Sequence, residues 1–383
     1  MENIAIVGTA QTKYERRKKG ETYYDMVYDV TTRAMADAGY TLEDIDSVVT
    51  ISNDFWDGRT ISSMAIQEAA GAHDKNVSTV EGDGTFGAFY GAMRVLGGNK
   101  TTLVVSHSKG SEGDPKFITN GMFDPIYHRP LGMEVISAAA LQANAYMNKY
   151  GITEKQCAMV SVKNHGNARL NPLAQLPREL TVEEVMNSRK IADPLKLWDC
   201  SPVSDGAAAV IIANEQSAER ATSTPVWIKG IAHCAEAYFL GDRDLADPVS
   251  LKNASRRAYK MAGISDPVSE IDVVELYDAF SYMEPLWLEG LGLCAPGQGG
   301  ELTEQGTTQM NGSLPVNPSG GVLSAHPVLV AGLARIIEAS LQIRGEAADR
   351  QINGVNTALA HGINGPSGQS HCVWVLGKEK GGQ

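Results

Sequence analysis

The chain has 383 residues, which is too long for one ordinary hydrophobic core and predicts two domains of similar size. Its net charge of −12 argues against nucleic acid as a main partner, because phosphate contacts need clustered lysine and arginine. The five cysteines show no CxxC spacing, so neither a disulfide framework nor a metal site within this chain is expected. No signal-peptide pattern opens the chain and no apolar run approaches the roughly 20 residues of a membrane helix. A cytoplasmic protein without a membrane segment is therefore expected.

An internal sequence repeat is the most informative feature along the chain. Residues 34–49 read AMADAGYTLEDIDSVV and residues 258–274 read AYKMAGISDPVSEIDVV. Each copy predicts a helix that ends at a glycine, Gly39 or Gly263, followed by an acidic linker and a buried strand after Ile-Asp. Copies this far apart indicate duplicated halves. We predict an N-terminal half over 1–224 and a C-terminal half over 225–383.

The remaining segments predict an alternating pattern. In the first half we expect strands at 77–81, 102–106 and 207–213 and helices at 84–96, 131–149 and 154–168. In the second half we expect strands at 226–231, 271–276, 355–360 and 371–376 and helices at 248–262, 282–292 and 327–343. Residues 108–200 predict an irregular, partly helical insertion. Such alternation is typical of an α/β fold with mixed sheets that helices cover on both faces.

Four segments carry a family resemblance. They are SPVSDGAAAV at 201–210, ELYDAF at 275–280, NPSGG followed by AHP within 317–327, and HGINGPSG at 361–368. In this order and spacing they resemble the thiolase superfamily. Asn164-His165 and the NPLA sequence at 171–174 are similar to its sterol-carrier-type and archaeal-type branch. That branch also includes benzoylsuccinyl-CoA thiolases and steroid side-chain retro-aldolases.

The resemblance implies both an architecture and a reaction class. It implies the thiolase fold, in which two duplicated halves stack as five layers, αβαβα. It implies making or breaking a carbon–carbon bond next to the carbonyl of an acyl-coenzyme A thioester, with coenzyme A as substrate or product and no metal in this chain. It also implies a homodimer core and a small partner subunit that carries a zinc ribbon and an OB-fold.

The sequence departs from the family pattern at the cysteines. Thiolases take the acyl group onto a cysteine at the start of a helix, where the helix dipole favours the thiolate. Aligning residues 80–87 on that motif places Gly84 at the nucleophile position. The second, acid/base thiol of the family falls at Gly362 or at Ala279. Thr85 is a poor substitute, because a hydroxyl needs an adjacent base.

Three side chains remain candidates for catalysis. His326 follows a glycine-rich turn and would polarise the thioester oxygen or move a proton; the alternative is a helix-capping histidine. Tyr277 follows a buried strand and would donate to an enolate or alkoxide; the alternative is an aromatic wedge between the halves. His361 precedes the terminal glycine loop and is equally consistent with acid/base chemistry or with a structural hydrogen bond.

Backbone groups and one amide complete the predicted site. Gly84 and Gly365 could offer N–H groups to an oxyanion, since that role needs no side chain. Asn317 would orient water or the loop, although asparagine before proline is also a common turn former. Cys200 and Cys294 are interpreted as packing residues.

The pattern favours one function, given first, and leaves two alternatives. The first is a β-ketoacyl-CoA thiolase of unusual type, without the nucleophilic cysteine, for a bulky or aromatic acyl group such as benzoylsuccinyl-CoA. The second is a retro-aldolase that acts on a β-hydroxyacyl-CoA. The third is a non-catalytic scaffold whose partner performs the chemistry.

Overall fold

A computed structural model of the chain describes residues 2–381. Its strands are β1 (Ile4–Gln11), β2 (Ser47–Ile51), β3 (Asn76–Val80), β4 (Thr101–Lys109), β5 (Lys190–Ala192), β6 (Leu195–Lys196), β7 (Asp205–Asn214), β8 (Val226–Ala235), β9 (Val273–Glu275), β10 (Thr357–Asn364) and β11 (Ser370–Gly377). Its helices are α1 (Tyr23–Ala38), α2 (Asp54–Asp57), α3 (Met64–Gln67), α4 (Gly84–Leu96), α5 (Pro115–Asn120), α6 (Val135–Tyr150), α7 (Glu154–Asn167), α8 (Val182–Met186), α9 (Glu215–Ala218), α10 (Val249–Ala262), α11 (Pro267–Glu270), α12 (Met283–Gly290), α13 (Gly299–Glu304), α14 (Gly321–Ser324) and α15 (Ala331–Arg344).

Nine of the strands in residues 2–381 form one mixed sheet in the order β3-β2-β4-β7-β1-β8-β11-β10-β9. From β1 outward, β7 and β4 pair antiparallel, and β2 and β3 then pair parallel. From β8 outward, β11 and β10 pair antiparallel, β9 pairs parallel, and Val316 adds a parallel bridge to Val274. The two sides of the sheet therefore repeat one topology and meet where β1 pairs with β8.

The repeated sequence has the same local structure in both copies. α1 ends at Gly39 and α10 ends at Gly263, both with left-handed backbone (φ 68° and 73°). The aspartate of each Ile-Asp pair then accepts backbone N–H groups that lead into a neighbouring strand. Asp46 accepts from Lys100 before β4 (2.6 Å), and Asp272 accepts from Thr357 at the start of β10 (2.8 Å). These contacts explain why the Ile-Asp pair recurs.

Three large hydrophobic cores in residues 2–381 lie between the layers of helices and strands, and a small fourth cluster contains Phe123, Ala138 and Leu240. One core packs α1 against one face of β1, β2, β4 and β7, with Val27, Val30 and Ala34 facing the sheet. The central core holds α4 and α15 between inward-facing residues from both sides of the sheet. The third packs α10 and α12 against the outer face of β8–β11. Because strand residues alternate between these cores, every central strand is covered on both faces.

The prediction of an α/β fold with duplicated topology and helices on both faces is confirmed. The element boundaries agree closely, with α4 at the predicted residues. α15 begins at Ala331 rather than near 327, because residues 327–330 form a turn closed by the Val330 amide on the Pro327 carbonyl (2.6 Å). The insertion between β4 and β7 contains α5–α8 and the small hairpin of β5 and β6. The exact boundary at 224/225 stays a prediction.

Candidate active site

Tyr277 lies just beyond the carboxyl end of β9 and is held at its backbone. Its amide points at His361 Nδ1 (3.4 Å), and its carbonyl accepts the indole N–H of Trp287 (2.9 Å). Only 5% of the residue is exposed. The loop after the buried strand therefore fixes the direction of the phenol.

The Tyr277 phenol contacts His326, and His326 contacts a serine. The Tyr277 hydroxyl lies 2.6 Å from His326 Nε2, and Ser201 Oγ lies 2.8 Å from His326 Nδ1. We assign the phenol as the donor to Nε2, so that Nδ1–H donates to Ser201. The three side chains thus form a continuous hydrogen-bonded chain across residues far apart in sequence.

Burial sets the protonation states of this chain of groups. Desolvation lowers the pKa of His326 to about 3, although part of the residue remains accessible to solvent. Burial also raises the pKa of the Tyr277 phenol well above its usual value, and the nearby Asp83 carboxylate adds to that rise. At neutral pH the resting site therefore holds a neutral imidazole and a neutral phenol. A neutral imidazole can accept the phenol proton when the phenol takes one from a substrate.

Ser201 was missed as a site residue, although its segment carried the family resemblance. The same segment also fixes the backbone of His326: the Ser204 amide donates to the His326 carbonyl (3.0 Å), and the His326 amide donates to Ser204 Oγ (2.9 Å). The available signal was the pair of serines flanking Pro202-Val203. A serine hydroxyl alone gave no reason to expect a contact with residue 326.

His361 lies close to Tyr277 and is fully buried. Its Nδ1 faces the Tyr277 amide, and its Nε2 lies 2.9 Å from Nδ1 of His371. The two imidazoles stack at 5.1 Å between ring centroids, and Trp287 packs edge-on against both. Burial lowers the pKa of His361 to about 3. These contacts favour the structural alternative for His361, since both of its ring nitrogens face protein groups.

Asn317 holds the loop that carries Tyr277, through a hydrogen bond to the residue before the tyrosine. The residue is buried, adopts a positive φ of 51°, and its Oδ1 accepts the Leu276 amide (2.8 Å). Its carbonyl accepts from Asn167 Nδ2 (3.0 Å). Within residues 2–381, its Nδ2 has no hydrogen-bond partner. Asn317 thus orients the end of β9, and a role toward water or substrate stays a prediction.

A buried polar network anchors the residue after Tyr277. Asp278 accepts the Val322 amide (2.6 Å) and Nδ2 of Asn164 (2.7 Å). Asn164 also reaches Glu284, which pairs with the fully buried Lys163 (2.9 Å). Both Lys163 and Asn164 come from α7 in the insertion. The insertion therefore supports the tyrosine loop of the other half.

The two glycines predicted as oxyanion donors have different surroundings. Gly84 begins α4 beside Leu333, where a Cβ would lie 2.5 Å from the Leu333 backbone nitrogen. Its amide points toward the Asp83 carboxylate. The Gly365 amide donates to Asn364 Oδ1 (3.1 Å). Both amides thus face a side-chain oxygen of the preceding residue, and the role of the two glycines as oxyanion donors stays a prediction.

Two of the five thiols, those of Cys157 and Cys372, are buried, and the other three are partly exposed. Cys372 is fully buried with its Sγ 3.7 Å from the Thr85 carbonyl, and burial raises its pKa. Burial likewise raises the pKa values of Cys200 and Cys294 to about 12. A high pKa disfavours the thiolate that nucleophilic attack requires. Within residues 2–381, no group of three or more His, Cys, Asp or Glu side chains is arranged to hold a metal, and no helix is long and apolar enough to cross a membrane.

Comparison with known proteins identifies the family of this chain. Residues 232–378 match the family model described as thiolase C-terminal domain-like. Acetyl-CoA acetyltransferase of Methanothermobacter thermautotrophicus is 36% identical over 96% of this chain and 98% of its own. Sterol carrier protein 2 of Oryctolagus cuniculus is 30% identical over 94% of this chain and 69% of its own. A solved structure, the Ltp2-ChsH2(DUF35) aldolase, superimposes with a TM-score of 0.85 at 26% identity, covering 98% of this chain and 97% of that one.

These relatives define the class as thiolase-fold proteins. The chain belongs to the thiolase superfamily and to its branch of sterol-carrier-type and archaeal-type thiolases. The predicted family and fold are therefore confirmed. The comparisons do not test which residues act in the site.

Proposed function

We propose that this chain cleaves or forms the bond between the α- and β-carbons of an acyl-coenzyme A thioester without a covalent acyl-enzyme. The observation that carries the proposal is the Tyr277 hydroxyl at 2.6 Å from His326 Nε2, in a site where residues 84, 279 and 362 are glycine or alanine. Relatives named acetyl-CoA acetyltransferase and a structural neighbour named an aldolase support this reaction class.

Aldol cleavage of a β-hydroxyacyl-CoA fits these groups best. The reaction needs a base for the β-hydroxyl proton and has no acyl-enzyme stage, so it requires no thiol. Tyr277 takes the hydroxyl proton as it passes its own proton to the neutral His326, whose orientation Ser201 fixes. The bond between the α- and β-carbons then breaks, the β-carbon becomes an aldehyde or ketone, and the electron pair stays with the thioester as its enolate.

A cysteine-free thiolase is the second candidate, and His326, which lies in the AHP segment that carries the family resemblance, favours it. In this version His326 takes the proton of the coenzyme A thiol, which attacks the β-keto carbon directly. A bulky acyl group such as that of benzoylsuccinyl-CoA stays a prediction, because Leu333 fills the space beside residue 84 and Asp83 and Thr85 fill the space beside residue 362. The 36% identity to an acetyl-CoA acetyltransferase supports this alternative.

One assay separates the two reactions. A β-hydroxyacyl-CoA and a β-ketoacyl-CoA are each incubated with the purified chain, with and without free coenzyme A, and products are followed by mass spectrometry. We expect cleavage of the β-hydroxyacyl-CoA that does not consume free coenzyme A. Cleavage of the β-ketoacyl-CoA with one coenzyme A consumed per turnover would support the thiolase instead. No turnover of either, by a chain that assembles normally with its partner, would support the scaffold.

The assembly is also a proposal. β3 is an edge strand that presents its free side to solvent in residues 2–381, and an edge strand offers unpaired N–H and C=O groups to a second copy. We propose a homodimer through β3 and a small zinc-ribbon and OB-fold partner, which the DUF35 component named in the neighbouring complex supports. Light scattering of the chain alone, and of the chain with such a partner, tests both; a monomer without affinity for the partner would contradict them.

A further inference from the structure

Asp83 is a buried carboxylate beside the site, and it has no role in the proton transfers proposed above. It precedes α4 and is 3% exposed. Its Oδ2 accepts the Thr85 amide (2.9 Å) and the Thr85 hydroxyl (2.5 Å), and its Oδ1 accepts the Gly332 amide near the start of α15 (2.8 Å). One carboxylate thus receives donors from the first turns of the two central helices. The expectation that the Thr85 hydroxyl has no adjacent base is therefore wrong, because the Asp83 carboxylate lies within hydrogen-bond distance of it.

Two glycines make room for this carboxylate. A Cβ at Gly332 would lie 2.0 Å from Asp83 Oδ2, and a Cβ at Gly362 would lie 2.1 Å from Thr85 Oγ1 and 2.4 Å from Asp83 Oδ2. Real Cβ atoms do not approach oxygen so closely, so neither position tolerates a side chain while Asp83 and Thr85 are in place. Asp83 Oδ2 and the Thr85 side chain therefore occupy the space into which a side chain on residue 362 would project.

The carboxylate also faces the catalytic loop. A Cβ on residue 362 would lie 2.4 Å from Asp83 Oδ2, and residue 362 follows His361, whose Nδ1 lies 3.4 Å from the Tyr277 amide nitrogen. The Asp83 carboxylate and the Tyr277 loop are therefore connected through two consecutive residues of β10, and the Asp83 charge also contributes to the raised pKa of the Tyr277 phenol. When the β-oxygen of the substrate contacts the phenol, the phenol handles the proton of that oxygen. After the bond breaks, the α-carbon of the enolate also needs a proton, and that proton requires a second donor.

We propose that Asp83 is the second acid/base group of this site, and that it protonates the α-carbon of the thioester enolate after the carbon–carbon bond breaks. This inference rests on the proposed function. The electron pair left on the α-carbon takes the proton from the Asp83 carboxyl, which becomes a carboxylate. The proton gained by His326 from the β-hydroxyl returns through solvent to Asp83, so each turnover is balanced without an oxidant or reductant.

The surroundings allow such a group to change charge near neutrality. Burial raises the pKa of Asp83 to about 6, and the Thr85 hydroxyl and the surrounding amides oppose that rise. The other titratable groups facing it are Tyr277 beyond β9 and Cys372 on β11, both neutral at pH 7 because burial raises their pKa values. His361 on β10 is neutral as well. Asp83 is thus the group of this cluster that titrates near pH 6.

Exchange of α-protons tests the inference in the unmodified chain. Acetyl-CoA and propionyl-CoA in D₂O should gain deuterium at the α-carbon when the wild-type chain is present, as measured by mass spectrometry. The rate should fall as the pH drops below about 6, since the base form of Asp83 is lost there. Asp83→Ser keeps a good helix N-cap but removes the ionisable group, and should slow exchange by roughly 100-fold or more.

A second variant separates chemistry from structure. In the triple variant Asp83→Ser, Thr85→Ala and Gly362→Cys, a thiol enters the space that the carboxylate and the Thr85 side chain leave. We expect partial recovery of exchange over the double variant Asp83→Ser with Thr85→Ala, with the acidic limb moved from about 6 towards the thiol value of about 8.5. No recovery, with both variants folded by circular dichroism, would indicate a structural role for Asp83 and overturn the inference.

The outcomes distinguish this inference from the proposed function. Wild-type exchange or cleavage, with Asp83→Ser within twofold of wild type, contradicts only the role of Asp83. A folded wild-type chain that neither cleaves nor exchanges any acyl-coenzyme A contradicts the proposed function, and this inference falls with it.

Discussion

The two copies of the repeated segment begin alike and end differently. α1 and α10 both end at a left-handed glycine, and Asp46 and Asp272 both accept amides leading into a neighbouring strand. Beyond the strands, β2 leads to a polar turn at Ser52 and Asn53, whereas β9 leads to Tyr277 and its network. The shared part builds the sheet, and only the second copy adds the catalytic phenol.

The connections to the two central helices differ in the same way. From β3 the chain enters α4 through residues 81–83, while the equivalent connection from Val316 to α15 runs over residues 317–330. The long connection carries Asn317 and His326, and the short one carries Asp83. Duplication thus supplies two helices whose first turns meet, and the unequal loops supply different chemical groups to one site.

Removing the phenol should have the largest effect. Tyr277→Phe keeps the ring but removes the hydroxyl that contacts His326, so kcat should fall by about 10²- to 10⁴-fold, the range for general acid–base catalysis. Tyr259→Phe is a matched control, because it also removes a buried hydroxyl contact, to the Leu291 carbonyl, away from the site. Steady-state cleavage assays compare them; equal activities would remove Tyr277 from the mechanism.

The start of α4, directly after the short connection, should be sensitive to added volume. Gly84→Ala would place a Cβ 2.5 Å from the Leu333 backbone nitrogen, and should lower the free energy of unfolding by about 1–3 kcal/mol. Gly20→Ala is the control, since no heavy atom lies within 4 Å of its added Cβ, and its effect should stay within about 0.5 kcal/mol. Urea unfolding measures both. A tolerated Gly84→Ala would show that α4 and α15 are less closely packed than this contact requires.

Loss of the serine should have a moderate, kinetic effect. Ser201→Ala removes the partner of His326 Nδ1, and losing one neutral hydrogen bond of about 1 kcal/mol should lower kcat about fivefold with little change in KM. Ser265→Ala, whose hydroxyl contacts the exposed Glu270, should leave both constants unchanged. A rise in KM alone for Ser201→Ala would indicate that Ser201 binds substrate rather than orienting the imidazole.

The smallest expected effect is the difference in the free energy of unfolding between alanine variants of the two cap glycines, Gly39 and Gly263. Alanine at either position costs about 1 kcal/mol because of the positive φ. Gly39→Ala also meets Thr222 Cγ2 at 2.5 Å, whereas no heavy atom lies within 4 Å of a Cβ at Gly263. Gly39→Ala should therefore be the more destabilising of the two in urea unfolding. Equal effects would mean that Thr222 moves aside without cost.

The fold was predictable because backbone and core requirements leave local patterns. The cap glycines, the Ile-Asp pairs and the apolar strands all appear within short windows of sequence. The contact between Tyr277 and His326 was not predictable in its geometry, although the family motif pointed to both residues. Ser201 and Asp83 were missed, because their roles depend on residues more than 100 positions away. The need for glycine at positions 332 and 362 follows from their contacts with Asp83, which the sequence does not show.

Intact-protein mass spectrometry during turnover tests the central claim most directly. The wild-type chain is mixed with a β-hydroxyacyl-CoA or a β-ketoacyl-CoA, quenched in acid within the first turnovers, and weighed. The account predicts the unmodified mass at every time point while product accumulates. A transient increase equal to the acyl group, mapped by peptide digestion to any residue, including Thr85 and the five cysteines, would contradict it.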